Sequence, residues 1–366
     1  MHEAAISAWY AQDFDVGRSA ADLLIHNRYL SPHQRQAGVE HASWYLTPLP
    51  LRPTRQIVVP PEMLTHHERV GNGSLAPLPD GSGYLLAQRV VNYAYDALRS
   101  VRTRERGQQV RSRTLLALLD TRGTPVSWQP LDTSLLDAMS TTDPAVHHTL
   151  GLEDVRLLRW QDAWWFVAPT CQRTPADQND IMLGRIALDA DGGGARVDHL
   201  LPLTLEPRQT IEKNWLPFID AQGELRLLYQ SDPLTILSVD LATGMCDRSI
   251  EVTPAVSMDR YRGSAAPVRW GAGYVYTTHE VATFHDHVVY QHRFVEVDRD
   301  YRVQRISLPF TLRERGIEFN LGLCLSLDGR QLLLHHSRMD EMAWISALPL
   351  ETLDRLLLPV DDLLSE

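Results

Sequence analysis

Five apolar segments of one type recur along the chain and constrain its fold more than any other feature. Each opens on a Gly or Asp turn, continues as a strand of aromatic and aliphatic residues, and runs out into polar residues. Their starts lie about 50 to 80 residues apart, the size of a four-stranded β-propeller blade with loop insertions. The segments cover residues 83–89, 162–168, 223–230, 273–280 and 329–336.

This pattern predicts an all-β fold, because the apolar runs are separated by Asp, Gly and Pro turns with few helical periods between them. Five units predict a five-bladed β-propeller, with a β-sandwich or a pair of small β-barrels as the alternatives. In a propeller, the strands nearest the axis bring their polar ends to a central funnel. We therefore expect the residues that end the five segments to converge there.

The first fifty residues follow a different pattern. Apolar residues recur at helical spacing over residues 4–10, 16–27 and 34–46, before a proline-rich break. We predict a small N-terminal helical extension over residues 1–52 and a propeller over residues 53–366 that ends in a short helix. The extension would pack on the propeller or on a partner, and a homodimer is one such arrangement.

Charge and hydropathy exclude several classes of protein. A formal net charge of −11 without a basic run to offset it argues against nucleic acid as a partner. No apolar run reaches the roughly 20 residues that a membrane-spanning helix needs. The start of the sequence lacks the basic segment and apolar core of a secretory signal. With three widely separated cysteines, these features predict a cytoplasmic protein without a disulfide framework or a membrane span.

We expect neither a metal ion nor a tightly bound cofactor. The histidine pairs at residues 66–67, 147–148 and 335–336, and His285 with His287, lack carboxylate or cysteine partners at the spacing of a closed zinc site. Surface or hydrogen-bonded histidines are the simpler interpretation.

Lys213 is the only lysine in a chain whose other cationic residues are all arginine. A GC-rich genome explains the excess of arginine wherever only a surface charge is needed. A compact ammonium, however, approaches a small anion or a hydroxyl more closely than a planar guanidinium does. Lys213 is therefore a candidate substrate ligand, with chance retention as the alternative.

Four polar clusters stand near the ends of the predicted inner strands. One pairs carboxylates with an arginine, one surrounds the lone lysine, one combines cationic and aromatic residues as an anion site would, and one adds further carboxylates. A locally basic stretch, residues 99–113, is either a solvated loop or a surface that attracts a phosphorylated ligand. The cluster members are Glu153, Asp154 and Arg156; Glu212, Lys213, Asn214 and Trp215; Tyr261, Arg262, His279, Glu280, Tyr290, His292 and Arg293; and Glu318 with Asp340.

These motifs resemble those of the five-bladed-propeller family of β-mannoside phosphorylases and mannosidases, and of the related mannosyltransferases. The chain looks closer still to uncharacterised bacterial propellers found beside glycosyltransferases. The resemblance covers roughly residues 58–350. It rests on Asn72, Ser74 and Arg89, on Glu153-Asp154-x-Arg156, on Lys213-Asn214-Trp215, on His279 and on a strand that ends in Asp340.

The resemblance implies that Asp154 is the general acid, that is, the proton donor. It implies substrate binding by Asn72, Ser74, Arg89, Glu153, Asn214, Trp215 and Asp340. Inorganic phosphate would be held by Lys213, His279, Arg156, Arg262, Tyr290 and His292. Phosphorolysis with inversion needs one acid and cations that hold the attacking dianion. An inverting hydrolase needs a second carboxylate instead, for which Glu280 and Glu318 are the catalytic candidates.

Two residues depart from the family pattern. Val155 stands where the family has proline, and Glu280 follows His279 where a small residue is expected in the phosphorylases. A carboxylate beside a phosphate site would repel the dianion. This departure disfavours a phosphorylase relative to a hydrolase or a transferase.

The leading hypothesis is a carbohydrate-active enzyme that acts on mannoside-type glycans with inversion, as a glycoside phosphorylase or hydrolase. One alternative is an inverting glycosyltransferase that uses an activated mannose donor such as a sugar nucleotide. The other is a non-catalytic propeller that binds a glycan or a partner protein.

Overall fold

The computed structural model describes residues 2–65, 67–103, 109–140, 149–173, 178–189 and 194–363. His66, the pair 147–148 and part of the basic stretch 99–113 therefore lie outside the described residues. Among the described residues, no helix is both long and apolar enough to cross a bilayer.

Helices form at the N-terminus where the apolar spacing predicts them. The side chain of Asp13 caps the second helix by accepting a hydrogen bond from the Val16 N–H. The third helix begins at a capping box of Ser31 and Gln34. The elements are α1 (His2–Ala11), α2 (Phe14–His26), α3 (Pro32–Ala42), a 3-10 turn (Ser43–Tyr45), β1 (Thr47–Pro48) and β2 (Thr54–Gln56).

Antiparallel groups of strands follow one another along the rest of the chain. The first group and its inserted hairpin comprise β3 (Arg69–Pro77), β4 (Tyr84–Val91), β5 (Tyr93–Tyr95), β6 (Val101–Thr103), β7 (Val110–Leu119) and β8 (Pro125–Asp132). The connection to the second group contains α4 (Ser134–Met139) and β9 (Thr149–Leu150). The second group comprises β10 (Arg156–Trp160), β11 (Ala163–Thr170), β12 (Asp180–Leu188) and β13 (Ala195–Leu205).

The later groups repeat this arrangement. The third comprises β14 (Leu216–Ile219), β15 (Leu225–Ser231), β16 (Leu234–Val239) and β17 (Met245–Val252). The fourth comprises β18 (Arg262–Gly263), β19 (Val268–Trp270), β20 (Gly273–Thr283), β21 (Val288–Val297) and β22 (Val303–Ser307), followed by β23 (Phe310–Thr311). The chain ends with β24 (Glu318–Leu325), β25 (Gln331–Arg338), β26 (Met342–Pro349), α5 (Leu350–Leu356), β27 (Leu357–Pro359) and a 3-10 turn (Val360–Leu363).

The groups close into a ring, which confirms the predicted all-β propeller. Strand β3 of the first group contacts both β10 of the second and β24 of the last. The N-terminal strand β2 pairs with β26 and so completes the last group. Counted over the described residues, the groups number five, and we interpret each as one blade.

The five apolar segments of the sequence are the second strands of their groups, if the two short strands β18 and β19, which both pair with β20, are counted as one interrupted strand. This corrects the expectation that the apolar segments lie nearest the axis. The innermost strands are the preceding ones, such as β3, β10 and β24, which contact one another between groups. Strand β4 lies between β3 and β7 and is buried along its whole length. A strand with neighbours on both sides is the most continuously apolar, so it dominates the sequence pattern.

The helical extension packs on the propeller. Ala21 and Ile25 of α2 and Val39 of α3 belong to one core cluster with Leu216 of β14 and Tyr276 of β20. The extension therefore covers the third and fourth groups. A homodimer stays a prediction.

Candidate active site

A cavity of about 640 Å³ is lined by residues from four of the five strand groups and by connections between groups, including Glu153 and Asp154 just before the second group. This volume lies within the range of roughly 300–1,000 Å³ that is typical of small-molecule sites. The lining brings together twelve of the residues that the sequence singled out. They are Asn72, Arg89, Glu153, Asp154, Glu212, Lys213, Asn214, Tyr261, Arg262, His279, Tyr290 and Asp340.

One end of the cavity, here called the carboxylate end, consists of Glu153, Asp154 and Asp340 around the buried Arg89. Arg89 Nη1 lies 3.1 Å from Asp154 Oδ1 and 3.7 Å from Asp340 Oδ2, and its Nη2 lies 3.8 Å from Glu153 Oε2. Asn72 Nδ2 donates a hydrogen bond of 2.9 Å to Asp154 Oδ1. One guanidinium thus holds three carboxylates from two strand groups in place.

The environments of Asp154 and Asp340 shift their pKa values in opposite directions. Burial raises the pKa of Asp154, but the charges of Arg89 and Arg156 and the Asn72 hydrogen bond outweigh it, so this pKa is lowered. Burial also raises the pKa of Asp340, and there the nearby Asp154 charge helps burial to prevail over Arg89. In the unliganded cavity Asp340 is therefore the more readily protonated carboxyl of the two.

Unusual backbone conformations place several of these side chains. Asp154, Asn214 and Asp340 have φ values of 43°, 62° and 52°, in the left-handed region that side-chain-bearing residues rarely adopt. Asp and Asn tolerate this region best, and such strain is typical of functional sites. The turns bend the chain so that these polar side chains line the cavity.

Arg156 supports the site from behind and does not line the cavity. Its Nη2 donates to Asn214 Oδ1 at 3.2 Å and to the Ser264 carbonyl at 3.1 Å, and its Nη1 donates to the Asp154 carbonyl at 3.3 Å. A guanidinium committed to these acceptors orients Asp154 and Asn214. The phosphate-binding role predicted for Arg156 is therefore corrected to a positioning role.

Lys213 lies at the mouth of the cavity, next to the carboxylate end. Its Nζ is 3.4 Å from Glu153 Oε2, and its side chain is 46% exposed. Glu153 thus lies between Lys213 and Arg89. The lone lysine of the chain is free to turn toward a ligand in the cavity.

Another part of the lining, here called the cationic end, contains Arg99, Arg262, His279 and Tyr290. The His279 and Tyr290 rings stack with centroids 5.4 Å apart, and the Arg99 guanidinium lies 5.6 Å from the centre of the Tyr290 ring. Within the described part of the chain, neither Arg99 nor Arg262 forms an ion pair with a carboxylate. Burial lowers the pKa of His279 well below its usual value, with neighbouring His292 and Arg262 acting in the same direction. Two exposed arginines thus meet a neutral histidine and a phenol.

Two predicted sugar contacts lie within the packed interior. Ser74 Oγ accepts a 3.0 Å hydrogen bond from the Leu157 N–H and so ties β3 to β10. Trp215 is 1% exposed, and its Nε1 donates to Glu212 Oε2 at 3.1 Å. Neither side chain lines the cavity, and each is bonded within the interior, so both are corrected to structural residues.

The carboxylates of Glu280 and Glu318 also lie outside the cavity lining. Glu280 Oε2 accepts a 2.8 Å hydrogen bond from the buried Arg293, because alternation along β20 turns it away from the face of His279. Glu318 accepts hydrogen bonds from the N–H groups of Leu312, Arg313 and Glu314 at 2.8–3.1 Å. We therefore withdraw both as catalytic candidates.

His292 is fully buried, which corrects its predicted role in phosphate binding. Among the described residues neither ring nitrogen has a hydrogen-bond partner, and the ring stacks on Phe310 at 6.1 Å. Burial lowers the pKa of His292 from 6.5 to about 3. The neutral ring is a packed element of the fourth group and does not reach the cavity.

Acid should destabilise the fold through His292. Its pKa is lower in the folded chain than in the unfolded chain, so unfolding takes up a proton once the pH falls below 6.5, and stability is lost from there toward pH 3. Within this pH range, His292→Leu should reduce the decrease in the free energy of unfolding by about 1.4 kcal/mol per pH unit. Urea unfolding between pH 7 and 4 measures the slopes, with the exposed His33→Leu as control. Parallel curves for wild type and His292→Leu would contradict the assignment.

The structure adds residues that motif reasoning missed. Tyr93 donates a 2.6 Å hydrogen bond to Asp340 Oδ2, and Tyr95 lies 3.3 Å from the Tyr93 hydroxyl and lines the cavity. Two tyrosines at spacing i, i+2 directly after an apolar strand were the available signal. Arg99 lies in the basic stretch that the sequence associated with a phosphorylated ligand.

Known proteins offer only distant similarity. No protein family and no curated protein matches the sequence. A thermostable family-43 glycoside hydrolase is 11% identical, with 78% of this chain and 90% of that chain covered and a TM-score of 0.44. A GDP-Man-dependent mannosyltransferase from Leishmania mexicana is 14% identical, covering 77% and 86%, with a TM-score of 0.45. A mannose phosphorylase from the same organism, in complex with phosphate ion, is 12% identical, covering 81% and 88%, with a TM-score of 0.46.

Metal ligands were not expected from the sequence. Across the described ranges, no group of three or more His, Cys, Asp or Glu side chains could hold a metal ion.

Proposed function

We propose that the protein is a carbohydrate-active enzyme that cleaves or forms a glycosidic bond in this cavity, with inorganic phosphate as its second substrate. The observation that carries the proposal is that one cavity combines the carboxylates of the carboxylate end with the arginines of the cationic end. A sugar offers hydroxyl donors that suit carboxylates, whereas phosphate is a dianion that suits arginine. A mannoside-type glycan with inversion at the anomeric carbon is the substrate that the sequence motifs favour.

The sugar ring would lie at the carboxylate end. Asp154 and Asp340 can accept hydrogen bonds from its hydroxyls, and Asn72 and Arg89 keep both carboxylates in position. This arrangement suits a polar ring, because each carboxylate keeps one oxygen outside the contacts with Arg89 and Asn72. Asn214 and Lys213 would complete the sugar contacts from the third strand group.

Cleavage requires a proton for the leaving oxygen. We assign the proton-donor role to the Asp154–Asp340 pair, because the two carboxylates contact the same Arg89 nitrogen and titrate as a unit. The lowered pKa of Asp154 places the proton of the unliganded pair on Asp340. In phosphorolysis the glycosidic C–O bond breaks, a phosphate oxygen bonds to the anomeric carbon, and the proton of the pair goes to the departing oxygen.

Phosphate would bind at the cationic end, between Arg99, Arg262, His279 and Tyr290. The sequence argument against a phosphorylase was that Glu280 would repel the dianion. Glu280 lies on the far side of β20, where it accepts a hydrogen bond from Arg293, and burial raises its pKa, so its repulsion of a dianion beside His279 is weakened. Within the described residues, Arg99 and Arg262 form no ion pair with a carboxylate. Beside the neutral imidazole of His279, they are well suited to bind the attacking phosphate dianion.

Release of inorganic phosphate from α-mannose 1-phosphate, measured over a panel of acceptor sugars, tests the proposal. Acceptor-dependent release is the expected result. Cleavage of a β-mannoside without phosphate would instead indicate a hydrolase, and turnover of a sugar-nucleotide donor a glycosyltransferase. Silence with all three donor classes would indicate a non-catalytic glycan-binding propeller.

A further inference from the structure

The segment over residues 253–261, between β17 and β18, forms one wall of the cavity without belonging to a sheet. It contains no strand or helix and leads directly into the two-residue strand β18. Asp259, Tyr261, Arg262 and Gly263 all line the cavity. Arg262 itself begins β18 and pairs with His279 of β20. The segment that leads to it has no strand partner, so this segment must be held by other contacts.

Polar contacts from the helical extension hold this segment. Arg35 of α3 binds Asp259 with two hydrogen bonds, of 3.0 and 2.6 Å. Arg28 donates to the Pro254 carbonyl at 2.8 Å and forms an ion pair of 2.9 Å with Asp232. The His26 carbonyl accepts a 2.8 Å hydrogen bond from the Ser257 N–H. The contacts are thus spread along the segment from its start nearly to Arg262.

The residue next to Arg262 is the most firmly anchored. The Tyr261 hydroxyl is 2.6 Å from His26 Nε2, and the Arg293 guanidinium lies 5.6 Å from the centre of its ring. Arg293 in turn binds Asp22 of α2 at 2.6 Å and Glu280 at 2.8 Å. These side chains are buried, so the ion pairs are little screened by solvent.

Apolar packing joins the same partners. Val256 and Met258 of the segment are buried in one cluster with Ala21, Ile25 and Val39 of the extension. Fixing the backbone of an irregular residue costs conformational entropy. Contacts that fix it before a ligand arrives remove this cost from binding.

We propose that α2 and α3 are a positioning element of the active site, which holds residues 253–261 so that Arg262 is preorganised to bind the phosphate dianion. Arg35 and Asp259 are the central positioning pair. The inference rests on the proposed function, because phosphate is taken as the ligand of the cationic end. It assigns to the N-terminal helices a role in the site that their sequence did not suggest.

Two single variants separate positioning from simple electrostatics. Arg35→Ala removes a positive charge near the cavity, whereas Asp259→Ala removes a negative charge from its lining. If only charge matters, the first weakens phosphate binding and the second strengthens it. Positioning predicts that both variants raise the Kd for inorganic phosphate, by about 10-fold, against about 10–100-fold for Arg262→Ala. Titration calorimetry with inorganic phosphate measures these constants.

The Arg185–Asp198 pair on the second strand group supplies the control. It has the same two-bond geometry, at 2.8 and 3.1 Å, and neither residue lines the cavity. Arg185→Ala and Asp198→Ala should leave the Kd unchanged. In addition, Arg35→Ala combined with Arg262→Ala should bind phosphate no more weakly than Arg262→Ala alone, because Arg35 acts through Arg262. Thermal unfolding of each variant verifies that it is folded.

Each outcome has a distinct meaning. Tighter phosphate binding by Asp259→Ala would overturn the positioning role and leave the proposed function intact. Additive increases of the Kd for phosphate in the variant that combines Arg35→Ala with Arg262→Ala would do the same. No phosphate binding by the wild type would overturn both. The Kd for phosphate could rise in both single variants without rising further in the double variant, while α-mannose 1-phosphate is not turned over. This outcome would support the positioning role and contradict the proposed function alone.

Discussion

Asp154→Asn should lower glycoside turnover by about 10²–10⁴-fold, the usual cost of losing an acid–base group. The asparagine keeps the shape of the side chain and can still contact Arg89, but it removes one carboxylate of the pair that shares Arg89. It also removes the charge that helps to raise the pKa of Asp340. The rate of acceptor-dependent phosphate release, compared with wild type, measures the effect.

The pH profile distinguishes the two carboxylates of the pair. In Asp154→Asn, the pKa of Asp340 should fall, because a neighbouring negative charge is gone, and residual activity should decline at a lower pH than in wild type. Asp340→Asn is the matched variant, with the opposite carboxyl neutralised. Turnover of Asp154→Asn within a factor of about two of wild type would contradict a catalytic role for the pair, because removing an acid–base group costs far more.

Arg89→Met should both abolish turnover and destabilise the fold, by about 3–5 kcal/mol, because it leaves buried carboxylates without their counter-charge. Arg89 is 5% exposed and faces Glu153, Asp154 and Asp340. Without it the pKa values of Asp154 and Asp340 should rise, so stability should depend more steeply on pH than in wild type. Urea unfolding at several pH values measures both effects.

Two variants control for the loss of an arginine. Arg113→Met removes a guanidinium that pairs with Glu68 but is 39% exposed, and it should cost less stability than Arg89→Met. Arg89→Lys keeps the charge without the planar fork, so it should recover part of the stability and little turnover. Equal stability losses for Arg89→Met and Arg113→Met would show that Arg89 is not the centre of the carboxylate end.

Much of the fold could be predicted from the sequence, because its strongest signal is the burial of strands. The second strand of each group is apolar along most of its length, and Gly and Asp residues mark the turns before it. The innermost strands could not be identified in this way. Some are too short to give a pattern, such as β14 with four residues and β18 with two, so their place is set by contacts between groups.

The candidate site was predicted in part. Short motifs identified Asn72, Arg89, Asp154 and Asp340, which the ring of strand groups brings to one cavity. The same motifs suggested Glu280 and Trp215, which point into the interior. Strand alternation already indicated that His279 and Glu280 face opposite sides, so this error was avoidable. The burial of Trp215 and His292 depends on neighbouring strand groups, so it could not have been predicted from the sequence.

By itself, the sequence determined the strand class, the repeat, the helical extension and the set of residues able to carry chemistry, because burial and turn formation act over a few neighbouring residues. Only the tertiary structure decided which of those residues share a cavity and which are buried in ion pairs. It also decided the protonation order of Asp154 and Asp340 and the contact of α2 and α3 with the cavity wall. These properties depend on distances between residues far apart in the chain, since charge interactions and desolvation follow spatial proximity.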